Sequence, residues 1–245
     1  MRQDRWQSGT LVILSVDSSS PIRYALGAAM EDHHRSRVLI ADDHRLVAEA
    51  CRNLLEPEFQ VIAMVSDGRE LLKAEAELKP DVVILDISMP GLNGLDAGEL
   101  IKQRNRSVKL VFVTMSLAAD VAAEAFRRGA SAYVLKQSSA DELITAIRRV
   151  VRGQSYLTPL ITKDTVEYLL RSGAMYQEEK HITTRQSEVL QLLAEGKSMK
   201  EVAYILQLKP GTVAFHKYRI MDTLGIKTSA ALIEYAIRHH MISPR

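Results

Sequence analysis

The chain has 245 residues, with an apolar fraction of 47% and a charged fraction of 25%, so it is long enough for two compact domains with hydrophobic cores. Its single cysteine excludes an intramolecular disulfide, and no apolar run approaches the roughly 18 residues of a membrane span, so we expect a cytoplasmic protein without a membrane partner. The formal net charge is +2, but residues 37–158 carry 16 Lys and Arg against 17 Asp and Glu, whereas residues 178–245 carry 10 against 7. The basic excess therefore lies in the C-terminal quarter.

Residues 1–36 do not fit the periodic pattern that follows them. They combine the run Ser18-Ser19-Ser20-Pro21 with a charged stretch from Glu31 to Arg37. We predict a poorly ordered N-terminal extension here, with Met30 as an alternative start of the chain.

An alternation of short apolar runs and helical patterns starts at Arg37. The runs 38–41, 61–65, 82–85, 110–113 and 132–135 have the length of buried strands, and the segments between them repeat apolar residues with a helical period of about 3.6. Five strands that alternate with five helices predict a doubly wound parallel α/β sheet. Ligands of such sheets bind at the carboxyl ends of the strands, so polar residues at those ends are candidates for chemistry.

Polar residues follow four of the predicted strands. Asp42 and Asp43 follow the first strand and Asp86 the third, while Thr114 follows the fourth and Lys136 the fifth. Three carboxylates in one crevice repel one another unless a hard cation binds, and Mg²⁺ suits oxygen ligands beside a phosphate. Together with a hydroxyl and an ammonium group, they describe a site for phosphoryl capture on a carboxylate. Each residue also has a simpler interpretation: a helix cap for Asp42 or Asp43, an ordinary strand-end hydroxyl, or a solvated charge.

The pattern changes after Gly153. Residues 159–179 have the character of a linker with one short helical piece around 165–171, and a purely helical pattern begins at Thr183. Capping boxes open at Thr183 and Ser198, and Gly196 and Gly225 stand where helices end. We predict an all-α domain of four short helices at about 184–195, 199–206, 211–224 and 229–239, with a helix-turn-helix between the second and the third.

Six motifs in fixed order carry a family resemblance: VLIADDH, DVVILDISMPGLNG, VTMS, GASAYVLK, LQLLAEGKSMKEVAYILQL and GTVAFHKYRI. With these motifs the chain resembles a NarL/FixJ-family response regulator of bacterial two-component systems. The resemblance implies a receiver domain over residues 37–158 with a flavodoxin-like strand order, a linker over residues 159–179, and a LuxR-type helix-turn-helix domain over residues 180–245.

The resemblance also implies roles for the acids. Asp86 is the expected phosphoacceptor, which attacks a phosphohistidine of a sensor histidine kinase or a small acyl phosphate. Asp43 and Asp86 are expected to ligate Mg²⁺ with the backbone carbonyl of Ser88, and Asp42 to act directly or through water.

Three further residues of the receiver receive roles in the same way. Thr114 and Lys136 are expected to hold phosphoryl oxygens, and Tyr133 occupies the aromatic switch position, which is expected to move inward when Thr114 is drawn to the phosphoryl group. The family usually places a proline after the lysine, often behind a cis peptide bond. Gln137 stands there in this chain, and we expect a trans bond because cis costs a non-proline residue about 2.5–4 kcal/mol.

The third helix of the C-terminal domain is the expected recognition helix for double-stranded DNA. We expect Ala214, Phe215 and Tyr218 to face base edges, where aromatic rings favour contact with thymine methyl groups. The residues placed to reach phosphates are Lys209, Thr212, Lys217 and Arg219. Two alternatives stay open, namely that Phe215 or Tyr218 belongs to the core and that His216 is a packed, hydrogen-bonded structural residue.

The resulting function is that of a switch and not of an enzyme. Phosphorylation of Asp86 is expected to shift a two-state equilibrium that exposes the helix-turn-helix or permits formation of a homodimer on paired half-sites, and thereby to control transcription. One alternative is a phosphorylation-independent DNA-binding regulator whose receiver serves for dimerisation. A second is a phosphatase of the haloacid dehalogenase type, which places a second acid two residues after the first, where this chain has Ser88.

Overall fold

The computed structural model describes residues 35–174 and 182–242, with only the backbone for residues 171–174. These residues belong to one unit that begins at Arg35. The predicted N-terminal extension lies outside the described residues except for residues 35 and 36. No helix in the described part is long and apolar enough to cross a membrane.

A parallel sheet with helices on both faces forms the first half of the described chain. Its strand order is β2-β1-β3-β4-β5-β6, with every neighbouring pair parallel, so the predicted doubly wound sheet in flavodoxin-like order is confirmed. The strands are β1 (Arg37–Ala41), β2 (Gln60–Val65), β3 (Val82–Leu85), β4 (Lys109–Thr114), β5 (Ala132–Leu135) and β6 (Tyr156–Leu157). The prediction of five strands missed β6 because two residues are too few to show a period.

Five helices connect the strands and cover the sheet. They are α1 (Arg45–Leu55), α2 (Gly68–Leu78), α3 (Gly94–Arg104), α4 (Ala119–Arg127) and α5 (Ala140–Val151). One apolar layer joins the sheet to α1 and α5, and the other joins it to α2, α3 and α4. Because all strands run in the same direction, the residues that follow β1, β3, β4 and β5 lie along one edge of the sheet.

The predicted linker contains a longer helix than its sequence pattern indicated. Helix α6 spans Pro159–Ala174 and packs against α4. Its buried positions Ile161 and Thr165 are one helical turn apart, with 3% and 1% of their surface exposed. Because one of these two residues is polar and the exposed face carries Leu160 and Leu170, the helical period was blurred in the sequence.

Four helices form the C-terminal domain, with bounds within one residue of the prediction. They are α7 (Thr184–Ala194), α8 (Met199–Leu206), α9 (Pro210–Leu224) and α10 (Ser229–Arg238). Both predicted capping boxes are formed, by Thr183 with Gln186 and by Ser198 with Glu201. Gly225 ends α9 in the left-handed conformation, with φ of 69°.

Candidate functional site

The acids of the predicted site meet in one crevice at the carboxyl edge of the sheet. Backbone hydrogen bonds continue past the strands, because the amide of Asp86 donates to the carbonyl of Ala41 at 2.9 Å. The Asp42 and Asp86 carboxylates are buried, with 6% and 4% exposed, whereas Asp43 is exposed. Ligand atoms of these three acids and of His44 all lie within 4.8 Å of one another. This set of ligands is able to hold a metal ion, and carboxylate oxygens are the ligands that Mg²⁺ prefers.

Lys136 bridges the two buried acids. Its Nζ lies 2.8 Å from Asp42 Oδ2 and 2.9 Å from Asp86 Oδ2, and only 9% of its side chain is exposed. Burial disfavours the ammonium ion, but attraction to Asp86 and Asp42 outweighs burial, and the pKa of Lys136 is raised. The solvated-charge interpretation of Lys136 is therefore wrong. No cis peptide bond occurs in residues 35–174 and 182–242, so the expected trans bond before Gln137 is confirmed.

The Asp86 carboxyl is less readily ionised than an exposed aspartate. Burial raises its pKa above the ordinary value, although the Lys136 ammonium and the amide of Ser88 pull the pKa in the opposite direction. The lysine thus compensates the buried Asp86 carboxylate incompletely. A divalent cation fits this deficit, because it would stabilise the ionised carboxylates further.

His44 is a member of the acidic cluster that the sequence interpretation missed. Its Nδ1 lies 2.8 Å from Asp43 Oδ1, and its backbone amide donates to Asp42 Oδ1 at 2.9 Å. His44 is also the N-cap residue of α1, without a side-chain capping bond. The interpretation of Asp42 or Asp43 as the helix cap is therefore wrong, since Asp42 accepts the amide of the N-cap residue itself while it faces Lys136. The only available signal for His44 was its place directly after two acids.

Thr114 and Tyr133 meet at the loop that follows β4. Thr114 Oγ1 accepts the amide of Ser116 at 3.2 Å, and the Tyr133 hydroxyl donates to the Ser116 carbonyl at 2.9 Å. Tyr133 is fully buried, and burial raises the pKa of its hydroxyl. The structure thus holds Tyr133 inward already. The strand-end interpretation of Thr114 stays open, because its side chain here closes the loop.

The loop after β3 is tightly fitted around Asp86. It contains the half-buried Ser88 and closes where the amide of Gly94 donates to the Ile87 carbonyl at 2.8 Å. A Cβ on Gly94 would lie 1.9 Å from the carbonyl oxygen of Asp86, so glycine alone fits there. The position of Ser88 is therefore tied to the path of the whole loop.

The expected recognition helix, α9, presents its aromatic residues to solvent. Phe215 and Tyr218 are 59% and 69% exposed, so the alternative that either belongs to the core is wrong. Lys209 forms the N-cap without a side-chain capping bond, and Lys217 Nζ donates to Ser229 Oγ at 2.9 Å. The other residues expected at the DNA are at least partly exposed: Thr212, Ala214 and Arg219.

Two observations around this helix differ from the sequence interpretation. His216 is partly buried, but its Nδ1 has no hydrogen-bond partner within the described part of the chain, so the prediction of a hydrogen-bonded histidine is wrong for this atom. Tyr204 on α8 is 87% exposed and was missed. A tyrosine on an apolar helix face is usually packed, which is why the sequence did not single it out.

Known families and proteins match both halves of the chain. Residues 38–148 match the family described as response regulator receiver domain, and residues 180–236 match the family described as bacterial regulatory proteins, luxR family. The transcriptional regulatory protein LiaR of Bacillus subtilis is 32% identical over 209 residues, which cover 84% of this chain and 99% of LiaR. The chain belongs to the NarL/FixJ-family response regulators.

Further relatives of this response regulator include one protein of known sequence and one of known structure. The oxygen regulatory protein NreC of Staphylococcus aureus is 33% identical over 214 residues, which cover 84% of this chain and 99% of NreC. RcsB of Salmonella enterica serovar Typhimurium, solved bound to the promoter P1flhDC with the phosphomimetic BeF₃⁻, is 27% identical with a TM-score of 0.53. That comparison covers 82% of this chain and 97% of the RcsB chain.

Family membership determines the class of the protein. It is a two-component response regulator that regulates transcription, with a receiver domain that takes its signal from a sensor histidine kinase and a LuxR-type domain that binds DNA. In this response regulator the buried acids and Lys136 lie in the receiver domain, and the exposed aromatic residues lie in the LuxR-type domain.

Proposed function

We propose that Asp86 accepts the phosphoryl group and that this modification controls DNA binding. The observation that carries the proposal is the contact of one buried ammonium group, that of Lys136, with both Asp86 and Asp42. A carboxylate oxygen of Asp86 attacks phosphorus in line, the bond from phosphorus to the kinase histidine breaks, and the imidazole leaves with the electron pair. The product is an acyl phosphate on Asp86.

The surrounding residues stabilise the charge that accumulates on the phosphoryl oxygens. Mg²⁺, held by Asp42, Asp43, Asp86 and the Ser88 carbonyl, supplies positive charge beside these oxygens when it is bound. Lys136 gives up one of its carboxylate contacts to reach a phosphoryl oxygen, and Thr114 donates its hydroxyl to another. When Thr114 turns away from Ser116, the loop that also holds the Tyr133 hydroxyl is free to move.

We infer that this receiver is a substrate of the kinase and not an independent enzyme. Ser88 lies two residues beyond Asp86, where an aspartyl phosphatase needs its general acid, and a serine cannot take that part at neutral pH. The same site is able to hydrolyse its own acyl phosphate slowly with water. We place the protein in the cytoplasm, where its DNA and the kinase domain of its partner are found. We place its two domains at residues 37–158 and 180–245.

For the DNA complex we propose a homodimer of phosphorylated chains on paired half-sites. Residues Lys209, Thr212, Lys217 and Arg219 contact phosphates, while Ala214, Phe215 and Tyr218 face bases. Net charge of one LuxR-type domain is small, so two domains are needed for tight binding. The RcsB structure with a promoter and a phosphomimetic supports the link between phosphorylation and DNA in the family.

Acetyl phosphate with Mg²⁺ tests the phosphoacceptor. We expect one phosphoryl adduct on the wild-type chain by intact-protein mass spectrometry and none on Asp86→Asn. Asp141→Asn, which changes a carboxylate on the first turn of α5, is the matched control and should keep the adduct. An adduct of undiminished yield on Asp86→Asn would reject the assignment. If Asp86→Asn abolished the adduct but bound DNA as the wild-type chain does after treatment with acetyl phosphate, the phosphorylation-independent regulator would be the better description.

The DNA contacts are tested through their salt dependence. Lys217→Ala should weaken binding to all sequences and reduce the slope of log K against log salt by about one. Lys163→Ala, on the exposed side of α6, should leave the slope unchanged. Equal slopes for wild type and Lys217→Ala, measured by fluorescence anisotropy from low to moderate salt, would show that Lys217 contacts no phosphate.

A further inference from the structure

Helix α7 of the LuxR-type domain lies against the receiver with a buried polar face. Ser187, Glu188 and Gln191 are 6%, 8% and 0% exposed, which is unusual for polar side chains on a helix that also contributes to an apolar core. Buried polar groups are retained where they have hydrogen-bond partners, so the partners of this face indicate what it is for.

The partners are backbone groups of the loop that follows Asp86. Gln191 Nε2 donates to the Met89 carbonyl at 2.8 Å, and Gln191 Oε1 accepts the amide of Asn93 at 2.8 Å. At the C-cap position of α7, Glu195 Oε1 accepts the amide of Gly91 at 2.8 Å and also the Gln191 side-chain amide at 3.0 Å. Two side chains of the DNA-binding domain thus hydrogen-bond to every second residue of the receiver loop from Met89 to Asn93, as a neighbouring strand would.

This loop cannot move without changing the phosphoryl site. It leaves Asp86 directly, includes the proposed metal ligand Ser88, and is fixed at its far end by the contact of Gly94 with the Asp86 backbone. A second contact lies beside it, because Ser187 Oγ donates to the buried carboxylate of Asp96 on α3. The polar face of α7 therefore holds the loop at residues 89–93 and the helix that follows the loop.

The receiver does not cover the aromatic residues of the expected recognition helix. Phe215 and Tyr218 on α9 and Tyr204 on α8 stay exposed while α7 is docked. These three rings are thus accessible in this arrangement, and the expected effect of phosphorylation on the helix-turn-helix or on dimerisation stays a prediction. The contact that links the two domains acts on the acceptor loop itself.

We propose that α7 clamps the acceptor loop, with Gln191 as the central positioning residue, so that docking of the DNA-binding domain opposes loading of the Asp86 site. The inference rests on the proposed function, in which phosphorylation changes the domain contact. If loading of the site weakens the contact, then the contact must weaken loading by the same factor, because coupling between two equilibria is reciprocal. The clamp thus keeps the acceptor in a poorly reactive state until the domains separate.

The test compares full-length variants that carry the same chemical change at two glutamines. Gln191→Ala removes the hydrogen bonds of this side chain with Met89 and Asn93, and Gln60→Ala removes an exposed side chain at the start of the edge strand β2. We expect Gln191→Ala to bind Mg²⁺ at least about fivefold more tightly by isothermal titration calorimetry, the lower limit for loss of two restraining hydrogen bonds. Its phosphorylation with acetyl phosphate should also be faster, while Gln60→Ala matches the wild type.

A second variant guards against loss of folding. Gln191→Glu keeps an acceptor for the Asn93 amide but places a carboxylate against the Met89 carbonyl, so it should increase Mg²⁺ affinity as Gln191→Ala does. Unchanged or weaker Mg²⁺ affinity in both variants, with a wild type that binds Mg²⁺ and accepts the phosphoryl group, overturns the clamp alone. A wild type that neither binds Mg²⁺ nor accepts a phosphoryl group rejects the proposed function, and the clamp falls with it.

Discussion

Asp96 is the buried charge whose removal we expect to be most damaging outside the phosphoryl site. Its carboxylate is 3% exposed and accepts hydrogen bonds from the Asn93 side-chain amide at 2.8 Å and from Arg128 Nη1 at 2.6 Å. Ser187 of α7 donates to it as well. Asp96 therefore joins the acceptor loop, helix α4 and the DNA-binding domain through a single group.

The structure limits how large the effect of Asp96→Ala can be. Removal of one partner of a buried ion pair destabilises a protein by about 3–5 kcal/mol when the other charge stays unpaired. Arg128 keeps Glu99 at 3.1 Å and Glu124 on its other nitrogen, so its charge remains compensated. The loss is then set by the missing hydrogen bonds to a charged group and by the unpaired Ser187 hydroxyl, because Asn93 Nδ2 keeps a contact with Gln191 Oε1 at 3.3 Å. We expect a loss of about 2–4 kcal/mol.

Urea unfolding measures this loss. With a slope of about 2 kcal/mol per molar urea, a loss of 3 kcal/mol lowers the midpoint by about 1.5 M. Glu99→Ala, which removes the more exposed partner of the same arginine, should change the midpoint by no more than about 0.5 M. Equal midpoints for Asp96→Ala and Glu99→Ala would show that burial is not what gives Asp96 its importance for stability.

A cycle with Ser187→Ala separates the interdomain part of the effect. Residues that share a hydrogen bond show coupling energies of about 0.5–3 kcal/mol, whereas independent sites add within about 0.5 kcal/mol. We expect Asp96→Ala and Ser187→Ala to be coupled, with a double variant that is more stable than the sum of the single losses predicts. Simple additivity in the same urea experiment would show that the contact between α3 and α7 contributes nothing to stability.

Two further predictions concern the core of the receiver. Gly94→Ala should destabilise the chain by about 1–3 kcal/mol, because the new Cβ meets the Asp86 carbonyl oxygen at 1.9 Å. Gly211→Ala, which has open space around its new Cβ, should be neutral or stabilising. Urea midpoints in the opposite order would contradict this prediction. Burial raises the pKa of Cys51 to about 11, so at pH 8 almost no thiolate forms and a thiol reagent should react only after unfolding; labelling of the folded chain as fast as in denaturant would refute the assignment.

The strand-end residues were predictable because the topology of a parallel sheet determines which edge they lie on. Once the alternation of strands and helices is recognised, the residues after β1, β3, β4 and β5 must share one edge, so Asp42, Asp86, Thr114 and Lys136 were identified without coordinates. Capping boxes gave the helix starts at Thr184 and Met199 for a similar reason, since the whole signal lies within four residues. Both signals are local or follow from connectivity.

Residues whose partners are distant in sequence were not predictable in this way. Ser187 and Gln191 look like ordinary solvent-facing positions of α7, because their partners lie 91 and 98 residues away in the receiver. The sequence predicted where Lys136 lies but not its ion pairs, since nothing in the sequence shows that one ammonium group contacts two acids. His44 was missed because a histidine at a helix start is usually exposed, as this one largely is.

The energies of the interdomain contacts suit a switch that a single phosphoryl group can operate. A shift from one part in a hundred to ninety-nine parts needs about 5.5 kcal/mol of differential binding. The contacts of Gln191 and Glu195 with the loop are neutral or singly charged hydrogen bonds, each worth about 0.5–3 kcal/mol net, and Arg69 adds an ion pair to Glu188 at 3.4 Å. The summed range of these contacts includes the required size. A much larger apolar interface would hold the domains together regardless of phosphorylation, whereas a much weaker contact would not hold them together even without it. A polar contact made on the acceptor loop therefore gives two states whose free energies are close enough for one phosphoryl group to exchange their populations.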